Sequence, residues 1–113
     1  SRLNAYADFS GRGSQYLPHQ KPDLAAPGVN ITAQIPGGGY AAVTGTSFAA
    51  PFVSGSAALL MEWGIVREND PYLYGEKVKA YLRRGARAVG GIERYPSVEV
   101  GWGALCAAQS IPL

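Results

Sequence analysis

Ser47 is the side chain whose type and setting could best do chemistry. It stands in the run Gly45-Thr46-Ser47-Phe48-Ala49-Ala50-Pro51-Phe52-Val53-Ser54-Gly55. A serine hydroxyl is a poor nucleophile until a base takes its proton. The negative oxygen formed on an attacked carbonyl also needs donors held ready for it. A serine at a helix N-terminus supplies part of this, because its own N–H has no partner within the helix and the dipole favours negative charge there. Gly45 lets the preceding turn be sharp and lets a substrate come close. Thr46 or Ser47 could equally be a helix N-cap, a common place for both residue types. No base is evident: the only histidine is His19, in a stretch that reads as a loop. The single Cys106 rules out an internal disulfide and leaves either a buried small hydrophobe or a reactive thiol.

Several elements must position that serine. Val29 to Ile35 alternates apolar and polar residues, which predicts a strand. Pro36-Gly37-Gly38-Gly39 is a turn, and Tyr40 to Thr44 predicts the returning strand of a hairpin that delivers the chain to Gly45. From Ser47 onward the near-continuous apolar content predicts a helix buried on most faces. Pro51 is expected in its first turn and Gly64 at its end. Asn69-Asp70-Pro71 predicts the start of a second helix, with Asn69 or Asp70 as N-cap and Arg83, Arg84 and Gly85 closing it. Ala104 to Ala108 predicts a short terminal helix after the tight Gly101-Trp102-Gly103. Before the hairpin, Leu24-Ala25-Ala26 between two prolines suits a brief buried strand.

A length of 113 residues allows one modest domain. The apolar share of 47% is ordinary for a globular protein. A net charge of +2 gives no case for nucleic acid as a partner. Lys77, Lys79, Arg83, Arg84, Arg87 and Arg94 gather late, as a solvated helix face with cations near its C-terminus would. No basic-then-apolar leader is visible. No apolar run approaches the roughly 18 to 20 residues needed to span a bilayer. The chain begins at Ser1 rather than methionine, which suggests a boundary or a cut.

The run from Gly45 to Gly55 resembles the nucleophile motif of the subtilases, the subtilisin-like serine peptidases, of the form G-T-S-x-[SA]-x-P followed by small residues. Gly45, Thr46, Ser47, Ala49, Pro51, Ser54 and Gly55 match it. Phe9-Ser10 with Gly13, and Lys21-Pro22-Asp23-Leu24-Ala25-Ala26-Pro27-Gly28, resemble the segment upstream of that motif, and Gly101-Trp102-Gly103 resembles the closing segment. Leu60 to Arg67 and Tyr74 to Leu82 are similar to subtilases of anaerobic spore-forming bacteria.

The resemblance implies the C-terminal portion of a three-layer α/β domain, residues 1–113, with a hairpin, a buried nucleophile helix and two further helices. It implies that Ser47 attacks the scissile amide, that its backbone N–H is an oxyanion donor, and that Thr46 supports that hole. Tyr40, Val43 and Phe9 would flank the substrate cleft. The family order is acid, base, then serine along the chain. Only 46 residues precede Ser47, and neither the acid and base motifs nor the oxyanion asparagine is among them. Asp23 is expected to be structural, His19 to lie in a variable loop, and Asn30 to belong to the strand. The chain alone is therefore expected to be inactive. Its partners would be a peptide or protein substrate and the upstream part of the same domain, with self-association where that part is lacking. Relatives bind calcium, but no suitably spaced carboxylates stand here, and no cofactor is implied. By family, the setting would be extracellular or spore-associated. An α/β-hydrolase reading fails because Ala49 occupies the second glycine of G-x-S-x-G. A non-catalytic binding or assembly module is the remaining alternative.

Overall fold

A computed structural model describes residues 5–14, 16 and 21–112. The hairpin forms as its alternation dictates. Strand β1 (Ile31–Gln34) pairs antiparallel with β2 (Tyr40–Val43), in the register Ile31 to Val43 and Gln34 to Tyr40. Ile31, Ala33, Ala41 and Val43 lie on one half-buried face, and Thr32, Gln34, Tyr40 and Ala42 on the exposed one. Gly37, Gly38 and Gly39 all take positive φ, which lets the chain reverse without side-chain strain.

Helix α1 (Thr46–Met61) follows at once. Gly64 does not end it. The chain continues through a π-helical segment, Glu62–Val66, with Gly64 buried inside it. A Cβ on Gly64 would come within 2.6 Å of Leu73 Cδ2, so that glycine is a contact point rather than a stop. Pro51 is not in the first turn either. It lies four residues after Ser47, where its missing N–H deprives the Ser47 carbonyl of a helical partner.

Burial on most faces does not hold. Only Ser56 and Leu60 of α1 are buried. Ala49, Val53 and Ala57 half-bury with them on one stripe, while Phe48, Phe52 and Leu59 stay 39%, 42% and 57% exposed. α1 has no charged residue, so its uncovered side is apolar without a charged rim of its own. The continuous helix Thr46–Val66, 21 residues whose most apolar 18-residue stretch has a mean hydropathy of 1.3, is long and apolar enough to cross a bilayer by length and composition alone. That corrects the expectation that no stretch qualifies, though core helices of globular proteins meet the same criterion.

The second helix begins later than its apparent cap. α2 runs Glu76–Arg84, behind Gly75 at φ 62. Neither Asn69 nor Asp70 caps it. Asn69 Nδ2 donates to the Trp63 carbonyl at 2.9 Å. The Asp70 carboxylate accepts from Lys77 Nζ at 2.8 Å and from the Tyr81 hydroxyl at 2.9 Å. The two Asp70 bonds hold the loop onto the face of α2. The terminal helix α3 is displaced to Ala107–Ser110. Cys106, just before it, is half-buried with a free thiol.

Leu60, Leu73, Val78 and Leu82 form the core, with Leu24, Val53, Ala57, Met61, Trp63, Tyr81, Leu105 and Ile111 packed around them. Leu60 is fully buried. Leu60→Ala should lower the unfolding free energy by about 2–5 kcal/mol, because the cavity adds to the lost transfer energy. Denaturant titration checks this, and a change below about 1 kcal/mol would mean the site collapses around the smaller side chain.

Upstream and closing segments meet through the backbone. Ala104 bridges Ala25 in parallel and Arg87 antiparallel. Ala25 N–H donates to Gly103 O at 2.9 Å, Leu105 N–H to Ala25 O at 2.7 Å, and Trp102 N–H to Asp23 O at 2.9 Å. The brief strand foreseen around Ala25 is thus a single bridge.

Asp23 is structural, through cations rather than a turn. Lys21 Nζ lies 2.8 Å from its carboxylate, Arg83 Nη1 3.4 Å and Lys79 Nζ 3.6 Å. Lys79 and Arg83 are therefore tied inward rather than being a freely solvated face. Burial pushes the Asp23 carboxyl up, but the three cations together outweigh it and hold it below the ordinary range. At Asp70 the Lys77 hydrogen bond is the largest influence. It lowers that carboxyl too, against burial and with help from Tyr81.

Both carboxyls bind protons less readily folded than unfolded. Their stabilisation is complete above the ordinary carboxylate range and is lost as pH falls through the lowered folded values. Asp70→Asn should flatten the loss of stability below about pH 4. Denaturation midpoints taken from neutral to acid pH measure this. An unchanged acid slope would show that Asp70 does not contribute to it.

Candidate active site

The turn that carries Ser47 is held by three contacts. Gly45 has φ 154 and ψ 158, a region open essentially to glycine alone. Its N–H donates to Gly28 O at 2.8 Å. Gly28 packs so closely that a Cβ there would lie 2.8 Å from the Gly45 carbonyl oxygen and 3.1 Å from Ala49 Cβ. One residue pair beyond the end of the hairpin ladder, Asn30 N–H donates to Thr44 Oγ1 at 2.9 Å. Asn30 takes φ 54, a left-handed conformation that asparagine tolerates better than most residues.

Ser47 is exposed and lies in the first turn of α1. No side chain caps this helix. Thr46 and Ser47 therefore do not act as N-caps; Gly45 holds that position and its carbonyl accepts the Phe48 N–H at 3.0 Å. No acceptor among the described residues meets the N–H of Thr46 or Ser47. Two backbone donors at the positive end of a helix dipole thus stand beside an exposed hydroxyl. Such an arrangement can stabilise an oxyanion but cannot by itself remove the serine's proton.

Tyr40 is exposed on the outer face of β2, while Val43 lies on the opposite face. Phe9 is exposed in a separate turn closed by Ser10 N–H to Ala7 O. The hairpin's inner face and α1 border an apolar groove of about 270 Å³, lined by Ile31, Ala33, Phe48, Pro51 and Phe52. Asn30 is outside the strand, just before β1. His19 lies outside the described residues. Among the described residues no three His, Cys, Asp or Glu side chains converge.

Two contacts escaped the sequence reading. Thr44 appeared only as the end of a strand, and Gly28 only as the end of the segment that resembles the one upstream of the motif.

The sequence model of the Subtilase family matches residues 2–103. The chain belongs to the subtilase family. It is 36% identical over 75 residues to subtilisin BL of Lederbergia lenta, covering 66% of this chain and 26% of that protein. It is 47% identical over 58 residues to a subtilisin of Bacillus pumilus, covering 51% of this chain and 19% of that protein. Among solved structures, the Clostridium perfringens CspB protease superposes with a TM-score of 0.89 at 47% identity, over 95% of this chain and 23% of that one. The patellamide maturation protease PatA gives a TM-score of 0.60 at 34% identity, over 76% of this chain and 31% of that one. The chain thus spans about a quarter of the length of such relatives. Its own content, a two-stranded sheet with helices, is compatible with an α/β fold.

Proposed function

We propose that this chain is the C-terminal part of a subtilisin-like serine endopeptidase domain. In it, Ser47 attacks the peptide carbonyl and carries the acyl group. The observation that bears most weight is the exposed Ser47 at the uncapped start of α1, with its own N–H unpaired among the described residues. That N–H donates to the oxyanion, and Thr46 supports the turn behind it. Val43, Tyr40 and Phe9 contribute to the walls of the substrate cleft. The acid, the base and the oxyanion asparagine come from the upstream part of the domain.

The upstream part also completes the three-layer α/β architecture. It covers the side of α1 that exposes Phe48, Phe52 and Leu59. An apolar stripe of that kind on a helix otherwise packed against a core marks a surface that needs a partner.

Treating the complete polypeptide with a fluorophosphonate probe tests this reading. Mapping should place the adduct on Ser47. A folded polypeptide that takes up no probe would instead support a binding or assembly role.

A further inference from the structure

We infer that Thr44 is a positioning residue for Ser47, acting with Gly28 as the second point of a clamp on the nucleophile turn. This rests on the reading of Ser47 as nucleophile. Thr44 stands at the junction between β2 and Gly45, three residues before Ser47. At this junction the strand pairing has ended and the helix has not begun, so neither ladder fixes the backbone.

Two bonds to one short segment take their place. Asn30 N–H donates to Thr44 Oγ1 at 2.9 Å, and Gly45 N–H donates to Gly28 O at 2.8 Å. The segment 28–30 is thereby tied to residues 44 and 45 in both directions. The bare α-carbon of Gly28 sets how closely Gly45 and Ala49 can approach it. Because Gly45 has no side chain to lock its own torsions, the orientation of the Thr46 and Ser47 N–H groups follows from these outside contacts. Donors for an oxyanion are effective only when fixed before the charge appears. Thr44 touches neither substrate nor reacting atoms in this role; it acts through the turn.

The test uses the complete polypeptide and compares the fluorophosphonate labelling rate of Ser47, per folded molecule, in wild type, Thr44→Val and Thr44→Ser. Valine keeps the shape and removes the acceptor. The rate and kcat should fall about five- to tenfold with KM little changed, as expected for loss of one hydrogen bond that holds the turn. Thr44→Ser should recover the wild-type rate to within about twofold, because the acceptor returns. Thr44→Val labelled at the wild-type rate, with only its melting point lowered, would overturn the positioning role while leaving Ser47 as nucleophile. If Thr44→Val does not fold, Gly28→Ala carries the same test. Its Cβ would meet the Gly45 carbonyl oxygen at 2.8 Å, and an undiminished rate there would also overturn the clamp. A wild-type polypeptide that is not labelled at all would refute the nucleophile assignment itself, and the clamp with it.

Discussion

Ser47→Ala in the complete polypeptide should lower peptide hydrolysis by about a million-fold in kcat, a figure taken from subtilisin itself rather than from this structure. The size follows from what is removed. Without the hydroxyl no acyl-enzyme forms, and what remains is water attacking a bound, polarised carbonyl. The surrounding turn should survive the change. Ser47 is exposed, and alanine is the better helix former. Folding stability is thus expected to hold within about 0.5 kcal/mol while turnover collapses. Parallel measurement of kcat and of the thermal midpoint separates the two. A variant that keeps more than about a hundredth of wild-type kcat would remove Ser47 from the chemistry.

Taken without the rest of the domain, this chain should hydrolyse no peptide and should react with a fluorophosphonate no faster than free serine. Its donors are in place, but a neutral hydroxyl with no base is not activated. In subtilisin itself, loss of the triad histidine costs about as much as loss of the serine. The same isolated chain should associate through the side of α1 that exposes Phe48, Phe52 and Leu59. Adding the upstream part as a separate polypeptide should disperse those assemblies and restore labelling at Ser47. Sedimentation and labelling followed together check both halves of this expectation. Rapid labelling of the isolated chain would mean that a base resides within these 113 residues, contrary to the account.

Where local pattern decided structure, the sequence was readable. The alternation from Val29 to Ile35 and the glycines after Pro36 were enough to place the hairpin, and its register follows from which face is apolar. The run from Gly45 to Gly55 marked the start of α1 to within a residue, because Gly45 adopts a conformation other residues avoid.

Competing contacts explain the failures. Asp70 resembles an N-cap, yet its carboxylate is taken by Lys77 and Tyr81, so the helix waits until Glu76. Gly64 resembles a terminator, yet Leu73 packs against it and the helix widens rather than stops. The meeting of Ala25, Arg87 and Ala104 joins residues distant in sequence, and no local pattern announces it. The exposure of α1 follows from reading the chain as part of a larger domain, not from its composition. Its apolar content speaks of burial, but composition cannot say which chain supplies the cover.

Trapping the acyl-enzyme tests the central claim most directly. The complete polypeptide would be mixed with a slowly deacylated ester, quenched in acid, digested and weighed by mass spectrometry. The account predicts an acyl adduct on the peptide that contains Ser47, absent after Ser47→Ala. Turnover of the ester with the adduct on another residue, or undiminished turnover by Ser47→Ala, would contradict it.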